Sequence, residues 1–116
     1  VRRAPDGSEQ TLITCNVSER RLSVNGERSS LDETMTRKVW GDALDLTGLR
    51  DPSGLKELTL HVFLDRSVIE VYANERAALT ARVYPARPDS LGADCFAVGG
   101  SARLISCDVW EMQEIW

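Results

Sequence analysis

The strongest constraint on the fold is the alternation of apolar and polar residues across positions 58–84. Its first part has an apolar residue at every second position: Leu58, Leu60, Val62 and Leu64. Successive side chains of a β-strand point to opposite faces, so this period of two predicts a half-buried strand. Arg66-Ser67 interrupts the pattern as a turn. Residues 68–73 then resume it with the β-branched and aromatic side chains that are enriched in strands.

A second turn and a third strand complete this region. Asn74-Glu75-Arg76 is predicted to be a turn, because Asn tolerates the left-handed conformation that tight hairpins use. The next strand has Ala77, Leu79, Ala81 and Val83 on one face and Ala78, Thr80, Arg82 and Tyr84 on the other. Pro85 and Pro88 end it. Three strands joined by short turns predict an antiparallel meander.

The flanking sequence predicts two further hairpins. Residues 11–17 and 22–24 are strand-like and are joined by a polar turn. Residues 96–98 and 102–110 are predicted to pair around Gly99-Gly100. Several short strands at this spacing favour a sandwich or barrel over an α/β fold.

One segment favours a short helix instead. Residues 30–33, Ser-Leu-Asp-Glu, form a capping box. Leu31, Met35 and Val39 would share one helical face that ends near Gly41. We expect one or two helical turns within a loop.

Size and charge limit the classes of function. The chain has 116 residues, of which 42% are hydrophobic, enough for one domain that buries roughly two-thirds of its unfolded surface. A net charge of −4 argues against nucleic-acid or anionic-membrane partners, and no apolar run approaches the ~20 residues that span a bilayer. Residues 1–7 lack the apolar core of a signal peptide and an initiating Met, so we expect a piece of a longer chain.

Cysteine and histidine usage indicates neither a metal site nor a cofactor. Cys15, Cys95 and Cys107 cannot all pair within one chain, and they lack C-x-x-C spacing. They are expected to be buried free thiols, because Cys behaves as a small hydrophobe. A Cys15–Cys107 or Cys95–Cys107 bridge stays open for a secreted protein. His61 is the single histidine, too few for a typical zinc site.

The central strands carry a family resemblance. Residues 60–85 resemble the C-terminal β-sandwich of glycoside hydrolase family 32, which contains invertase-, levanase- and inulinase-like β-fructofuranosidases. Residues 28–32 and 109–112 resemble two further segments of that module. The residues that match the family motif are Asp65, Ser67, Glu70, Tyr72, Asn74, Thr80, Arg82, Tyr84 and Pro85. The family's turn after the second strand usually contains Gly, which is absent here.

The resemblance implies a fold and a parent enzyme. The fold is an antiparallel two-sheet β-sandwich of the jelly-roll or concanavalin-like kind, spanning residues 1–116 and truncated at its N-terminal side. The parent, secreted by family resemblance, would hydrolyse or transfer β-fructofuranosyl units of sucrose or fructans. Its catalytic motifs belong to a five-bladed propeller and do not occur here. Arg50-Asp51-Pro52 matches a propeller tripeptide, but its setting predicts a turn.

The module itself is therefore expected to be non-catalytic. The motif residues would be structural or would dock onto the propeller, with Asp65 bonding turn amides and Glu70 pairing with Arg66, Arg76 or Arg82. Partners would be the propeller, a second copy of the chain and a carbohydrate. The candidates for sugar stacking or interface contacts are Trp40, Trp110 and Trp116, together with Tyr72 and Tyr84.

Three alternatives remain open. A carbohydrate-binding module would expose coplanar aromatic rings and bind fructans by itself. A self-contained glycosidase would use Asp65 and Glu70, whose carboxyl groups would need to lie about 5–5.5 Å apart in a retaining enzyme. A stand-alone interaction domain would have no larger precursor.

Overall fold

The computed structural model describes residues 1–44 and 57–114. These residues form six strands and no helix: β1 (Leu12–Asn16), β2 (Arg21–Asn25), β3 (Val39–Ala43), β4 (Leu60–Asp65), β5 (Val68–Ala73) and β6 (Ala77–Arg82). The strands make two antiparallel sheets in the orders β1-β2-β3 and β4-β5-β6. The predicted all-β, two-sheet fold is confirmed, and the described part has no helix that could cross a membrane. Arg50-Asp51-Pro52 and Trp116 lie outside the described residues.

The first sheet is built on a short polar turn. The Asn16 Oδ1 atom accepts hydrogen bonds from the Ser18 hydroxyl at 2.9 Å and the Glu19 amide at 3.0 Å. This turn, held by the Asn16 side chain, joins β1 and β2, which form an antiparallel pair. The predicted hairpin in this region is confirmed, and β3 adds to the other edge of β2.

The second sheet is the predicted meander. β4 and β5 are joined by Arg66-Ser67, and Arg66 has a φ of +49°, at the position where a type II′ turn requires a positive φ. β5 and β6 are joined through Asn74 and Glu75, with φ values of +53° and +56°. The Arg76 amide donates to the Ala73 carbonyl at 3.0 Å. This turn therefore forms without the glycine that such angles favour.

The core lies where β6 packs against β2 and β3. Burying each large aliphatic side chain there contributes roughly 1.5–3 kcal/mol. The alanines of β6 let the two sheets approach closely. The buried cluster consists of Leu22, Val24, Leu44, Ile69, Val71, Ala73, Ala77, Ala81 and Val83. The predicted inward face of the third meander strand is confirmed, with Leu79 packed against the cluster.

The inward face of β4 is less well covered. Leu60, Val62 and Leu64 pair with buried residues of β5, which places them on the inner side of the second sheet. Leu60 and Leu64 nevertheless stay 38% and 39% exposed. β4 forms the edge of its sheet, and β6 is the strand that packs against the first sheet. The alternation in β4 therefore marks a surface that the described residues only partly bury.

The predicted helix was wrong. The Ser30 hydroxyl accepts from the Asp32 amide at 3.1 Å, one residue short of the Glu33 amide that a capping box requires. Asp32 Oδ1 accepts from both the amide and the hydroxyl of Thr34, at 2.9 and 2.6 Å. These local bonds compete with helical ones, and the segment folds as turns. Val39, the third residue of the predicted helical face, begins β3.

The predicted C-terminal hairpin was also wrong. Residues 93–114 contain no strand and are exposed throughout. Alternation gives a strand only where a neighbouring strand supplies hydrogen-bonding partners, and no such neighbour lies beside this segment in the described chain.

The three thiols are free: Cys15 is half-buried, while Cys95 and Cys107 are exposed rather than buried as predicted. Burial raises the pKa of Cys15 to about 11.

A buried carboxylate joins three loops of the domain. Glu9 is fully buried and accepts hydrogen bonds from the amides of Leu31 and Ala86, both at 2.7 Å. It also accepts from the Arg87 amide at 3.1 Å and the Ser90 hydroxyl at 2.6 Å. Burial alone would raise the pKa of Glu9, but the four hydrogen bonds outweigh it and lower that pKa.

The Arg87 side chain reinforces the same junction. Its guanidinium binds both carboxylate oxygens of Asp89, at 2.7 and 2.6 Å, and reaches Asp6 at 2.7 Å. The hydrogen bond from the Ser8 amide, with Arg87, lowers the pKa of Asp6 to about 2. The amino-terminal turn is thereby tied to the loop that follows β6.

Candidate functional site

The pairing of β4, β5 and β6 places the motif residues in two groups. Five lie on the outer face of the second sheet: Asp65, Glu70, Tyr72, Thr80 and Arg82. The cross-strand pairing confirms the placement, because Glu70 faces Thr80 and lies between the buried residues Ile69 and Val71. The other four lie at the hairpin ends or beyond β6: Ser67, Asn74, Tyr84 and Pro85.

The hairpin-end residues hold the meander together. The Asn74 amide donates to the Thr59 carbonyl at 2.9 Å, and Asn74 Oδ1 accepts from the Thr59 amide at 2.8 Å. Asn74 thus extends the β4–β5 pairing by one residue while it adopts a left-handed conformation. The Ser67 carbonyl accepts from the Val83 amide at 2.8 Å, which closes the other end of the sheet. For these two positions the structure shows specific hydrogen bonds within the domain.

Four outer-face side chains form a square at the β4–β5 pair. His61 lies opposite Tyr72, and Phe63 lies opposite Glu70. Opposed residues of an antiparallel pair have Cβ atoms about 4.5–5.5 Å apart, so all four are neighbours. The Phe63 and Tyr72 rings meet edge to face, with centroids 5.9 Å apart and planes at 87°. Both rings remain exposed, at 44% and 39%.

This square forms the floor of an open cavity. The cavity has a volume of about 450 Å³ and is lined by His61, Phe63, Glu70, Tyr72 and Glu75. Glu75 reaches it from the β5–β6 turn. The sequence alone gives His61 no partner for a zinc site and places Glu75 in a turn. The alternation placed His61 and Phe63 on one face, but only the pairing register brings that face beside Glu70 and Tyr72.

The polar groups of the cavity are not engaged by the described residues. No hydrogen bond or ion pair joins His61, Glu70 or Glu75 to another described side chain. Neither the predicted bond from Asp65 to the turn amides nor an ion pair of Glu70 with Arg66 or Arg82 is present. Asp65 is exposed and does not line the cavity, so it and Glu70 do not share an enclosed cleft. The described residues also hold no cluster of three His, Cys, Asp or Glu side chains suited to a metal ion.

Trp40 and Trp110 do not line this cavity. Trp40 is half-buried against the core cluster, and the Lys38 ammonium lies 5.7 Å from its ring centroid. Trp110 lies in the C-terminal segment and is 78% exposed. Tyr84 is 38% exposed just after β6. The aromatic residues that the structure brings together are therefore Phe63 and Tyr72.

A second surface of the domain is strongly apolar. We call residues 93–114 the C-terminal segment, and its large apolar side chains are 66–89% exposed: Phe96, Val98, Leu104, Ile105, Val109, Trp110 and Met112. The chain as a whole exposes 8775 Å². A folded monomer of 12.9 kDa exposes about 6,300 Å². Many large apolar side chains exposed within one segment are typical of an interaction surface.

Comparison with known proteins identifies the domain. Residues 1–111 match the family described as glycosyl hydrolases family 32 C terminal. The chain belongs to this family. The match includes the meander and all nine motif residues, so the family 32 resemblance of the central strands is confirmed.

Individual relatives agree with this family membership. The extracellular exo-inulinase of Aspergillus awamori is 26% identical over 121 residues, which cover 100% of this chain and 21% of that protein. The raffinose invertase of Escherichia coli is 43% identical over 54 residues, 46% of this chain and 11% of that protein. The chain thus spans about a fifth of the length of the curated relatives that it matches throughout.

Proposed function

We propose that this family 32 domain is a non-catalytic accessory module of a β-fructofuranosidase-like glycoside hydrolase. It would pack against the catalytic propeller of the same polypeptide and hold it in a fixed orientation. The substrate class of the parent, sucrose or a fructan, follows from the relatives, which are an exo-inulinase and a raffinose invertase. The parent would be secreted, as the exo-inulinase is by its name.

The observation that carries this proposal is the exposed apolar surface. The C-terminal segment and the uncovered side of β4 expose large aliphatic and aromatic side chains that a free monomer would keep from water. The chain exposes about 2,500 Å² more surface, polar and apolar together, than a typical folded monomer of its mass, and a docked partner would cover part of it. A covalently joined domain is the simplest partner, because it is always present at a high effective concentration.

The carboxylates support the non-catalytic part of the proposal. Glycosidases of this kind need two carboxyl groups facing each other across the scissile bond. Glu9 is committed to four hydrogen bonds inside the domain, and Asp65 and Glu70 do not share a cleft. The reaction would therefore belong to the propeller.

The size of the native protein tests the module assignment. Antibodies raised against this chain should detect, in the source organism, a protein several times heavier than 12.9 kDa. That protein should release fructose from sucrose or inulin, and the isolated chain should release none. A native protein of the chain's own mass, or fructose release by the chain alone, would contradict the proposal.

A matched pair of variants tests the docking surface. The propeller encoded with the chain would be produced separately and its binding to the chain measured by calorimetry. Val109→Ser, in the C-terminal segment, should weaken binding about tenfold, because it replaces a buried apolar contact by a hydroxyl that loses its hydrogen bonds to water on docking. Val17→Ser makes the same change at an exposed position of the β1–β2 turn and should leave binding unchanged. Equal effects of the two would exclude the C-terminal segment from the interface.

Two further roles belong to this proposal. In a module that is not docked onto the propeller, the same apolar surface would let two copies associate, so a dimer contact and the propeller contact would compete for it. Carbohydrate binding is the second candidate function, and the open cavity at His61, Phe63 and Tyr72 favours it. Both roles are compatible with an accessory module, because the cavity and the C-terminal segment are separate surfaces.

A further inference from the structure

We infer that the outer-face cavity of the second sheet is a binding site for one unit of a neutral saccharide, with Phe63 and Tyr72 as its apolar walls and Glu70 and Glu75 as its hydrogen-bond acceptors. The choice of a fructosyl unit as that saccharide rests on the proposed function. The site itself rests on the geometry of its five lining residues.

The aromatic pair has a shape suited to a sugar ring. Because the two rings are perpendicular, they present one flat face and one edge at a right angle to it. A sugar has C–H groups on one side of its ring, which pack on an aromatic face as other apolar groups do. Both rings are more than a third exposed, so this contact is available on the free surface.

The polar groups lie on both sides of the aromatic pair. Glu70 is opposite Phe63, while His61 is opposite Tyr72 and lies at the end of the sheet that Glu75 approaches. A carboxylate accepts several hydrogen bonds, and a sugar offers hydroxyl donors all around its ring. A few polar groups around an apolar floor is the arrangement that most small-molecule sites use.

Charge and donor composition select the class of ligand. Two carboxylates repel anions, so a phosphorylated sugar or a nucleotide does not fit. The described residues provide no three-ligand metal cluster here. A cavity of about 450 Å³ is also within the range of small-ligand pockets. A neutral polyol uses both acceptors without bringing an opposing charge.

Titration of the isotope-labelled chain tests this site. Inulin-type fructo-oligosaccharides should shift the His61, Glu70 and Tyr72 amide signals and the Phe63 and Tyr72 ring signals saturably, and leave Trp110 unchanged. Malto-oligosaccharides, built from glucose, serve as the second ligand. Saturable shifts with either sugar support the site, and shifts with malto-oligosaccharides alone support it while contradicting the fructan part of the proposed function. No shift at tens of millimolar of both sugars, in a well-dispersed spectrum, would overturn the inference.

Two pairs of variants separate a binding role from a folding role. Tyr72→Leu should weaken binding at least tenfold, because the leucine side chain offers no flat face. Tyr84→Leu makes the same change at a tyrosine of nearly equal exposure outside the cavity, and its affinity should match the wild type. Glu70→Gln should weaken binding roughly tenfold through loss of a charged acceptor, whereas Glu19→Gln, in the β1–β2 turn, should not. If Tyr72→Leu and Tyr84→Leu bind alike, the rings serve the sheet alone and the inference fails.

Discussion

At the scale of single residues, Glu9 is a buried carboxylate whose oxygens are all engaged in hydrogen bonds. A carboxylate removed from water is costly unless its oxygens are fully hydrogen-bonded. Here four donors from two other loops, at residue 31 and at residues 86–90, converge on it, although these segments lie far from Glu9 and from each other in sequence. Glu9 therefore fixes the relative positions of loops that no strand pairing connects.

Replacement of Glu9 by Gln should destabilise the domain at neutral pH. The amide nitrogen of Gln would face donors such as the Arg87 amide and the Ser90 hydroxyl, so at least one buried donor loses its acceptor. We expect the free energy of unfolding to fall by about 2–3 kcal/mol at pH 7, as measured by urea unfolding. Glu19→Gln, at an exposed turn, should change it by less than ~0.5 kcal/mol.

The difference in unfolding free energy between wild type and Glu9→Gln should become smaller at acidic pH. Because folding lowers the pKa of Glu9, its contribution is present above the ordinary glutamate value and is lost as the pH falls below it. The gap in stability between wild type and Glu9→Gln should therefore narrow from pH 5 towards pH 3. A gap that stays constant over this interval would show that the folded and unfolded states bind the Glu9 proton equally well.

At the scale of elements, the hairpin turns decide how the motif residues meet. The β5–β6 turn has two consecutive residues at positive φ, and neither is glycine. Asn74 tolerates this conformation, and its backbone amide and its side-chain oxygen are both hydrogen-bonded to the backbone of Thr59. Glu75 has no comparable local bond among the described residues, so its backbone conformation is the strained one.

Glycine at position 75 should stabilise the second sheet. A left-handed conformation costs an ordinary residue roughly 1–2 kcal/mol, and the greater freedom of glycine in the unfolded chain offsets about half of that. We expect Glu75→Gly to raise the free energy of unfolding by about 0.5–1 kcal/mol. Glu33→Gly is the matched control: Glu33 is a turn residue whose φ is not positive, so this change should lower the free energy of unfolding. A loss of stability in both variants would argue against strain at Glu75.

At the scale of the whole molecule, the described residues form one well-packed half and one half that they leave partly uncovered. The packed half is where β6 meets the first sheet, and the partly uncovered half consists of the β4 edge and the C-terminal segment. An edge strand with unpaired backbone groups beside exposed apolar side chains promotes association with another chain. The isolated domain should therefore tend to self-associate.

Sedimentation measurements test this tendency. The isolated chain should show an average mass that rises with concentration, and removal of residues 93–114 should reduce that rise. Because this segment is exposed throughout, its removal should leave the cooperative unfolding transition in place. Leu31→Ser, which removes an exposed apolar side chain elsewhere, should not change the association. If the shortened chain loses its unfolding transition, the segment contributes to the fold itself.

The sequence by itself determined the meander, the first hairpin and the family. Those elements depend on local rules: alternation with a period of two and turn residues at short separations. It failed for residues 30–41, where a capping box was outcompeted by hydrogen bonds of Ser30 and Asp32, and for the C-terminal segment, which lacks a neighbouring strand.

The tertiary structure decided which side chains act together. Nothing local in the sequence shows that Glu9 lies between residues 31 and 86–90, because those contacts cross the whole chain. The cavity likewise depends on pairing register, which places His61 opposite Tyr72 rather than one residue away on the other face. Patterns along a strand fix the face of each residue, but only the packing of strands and loops fixes its neighbours.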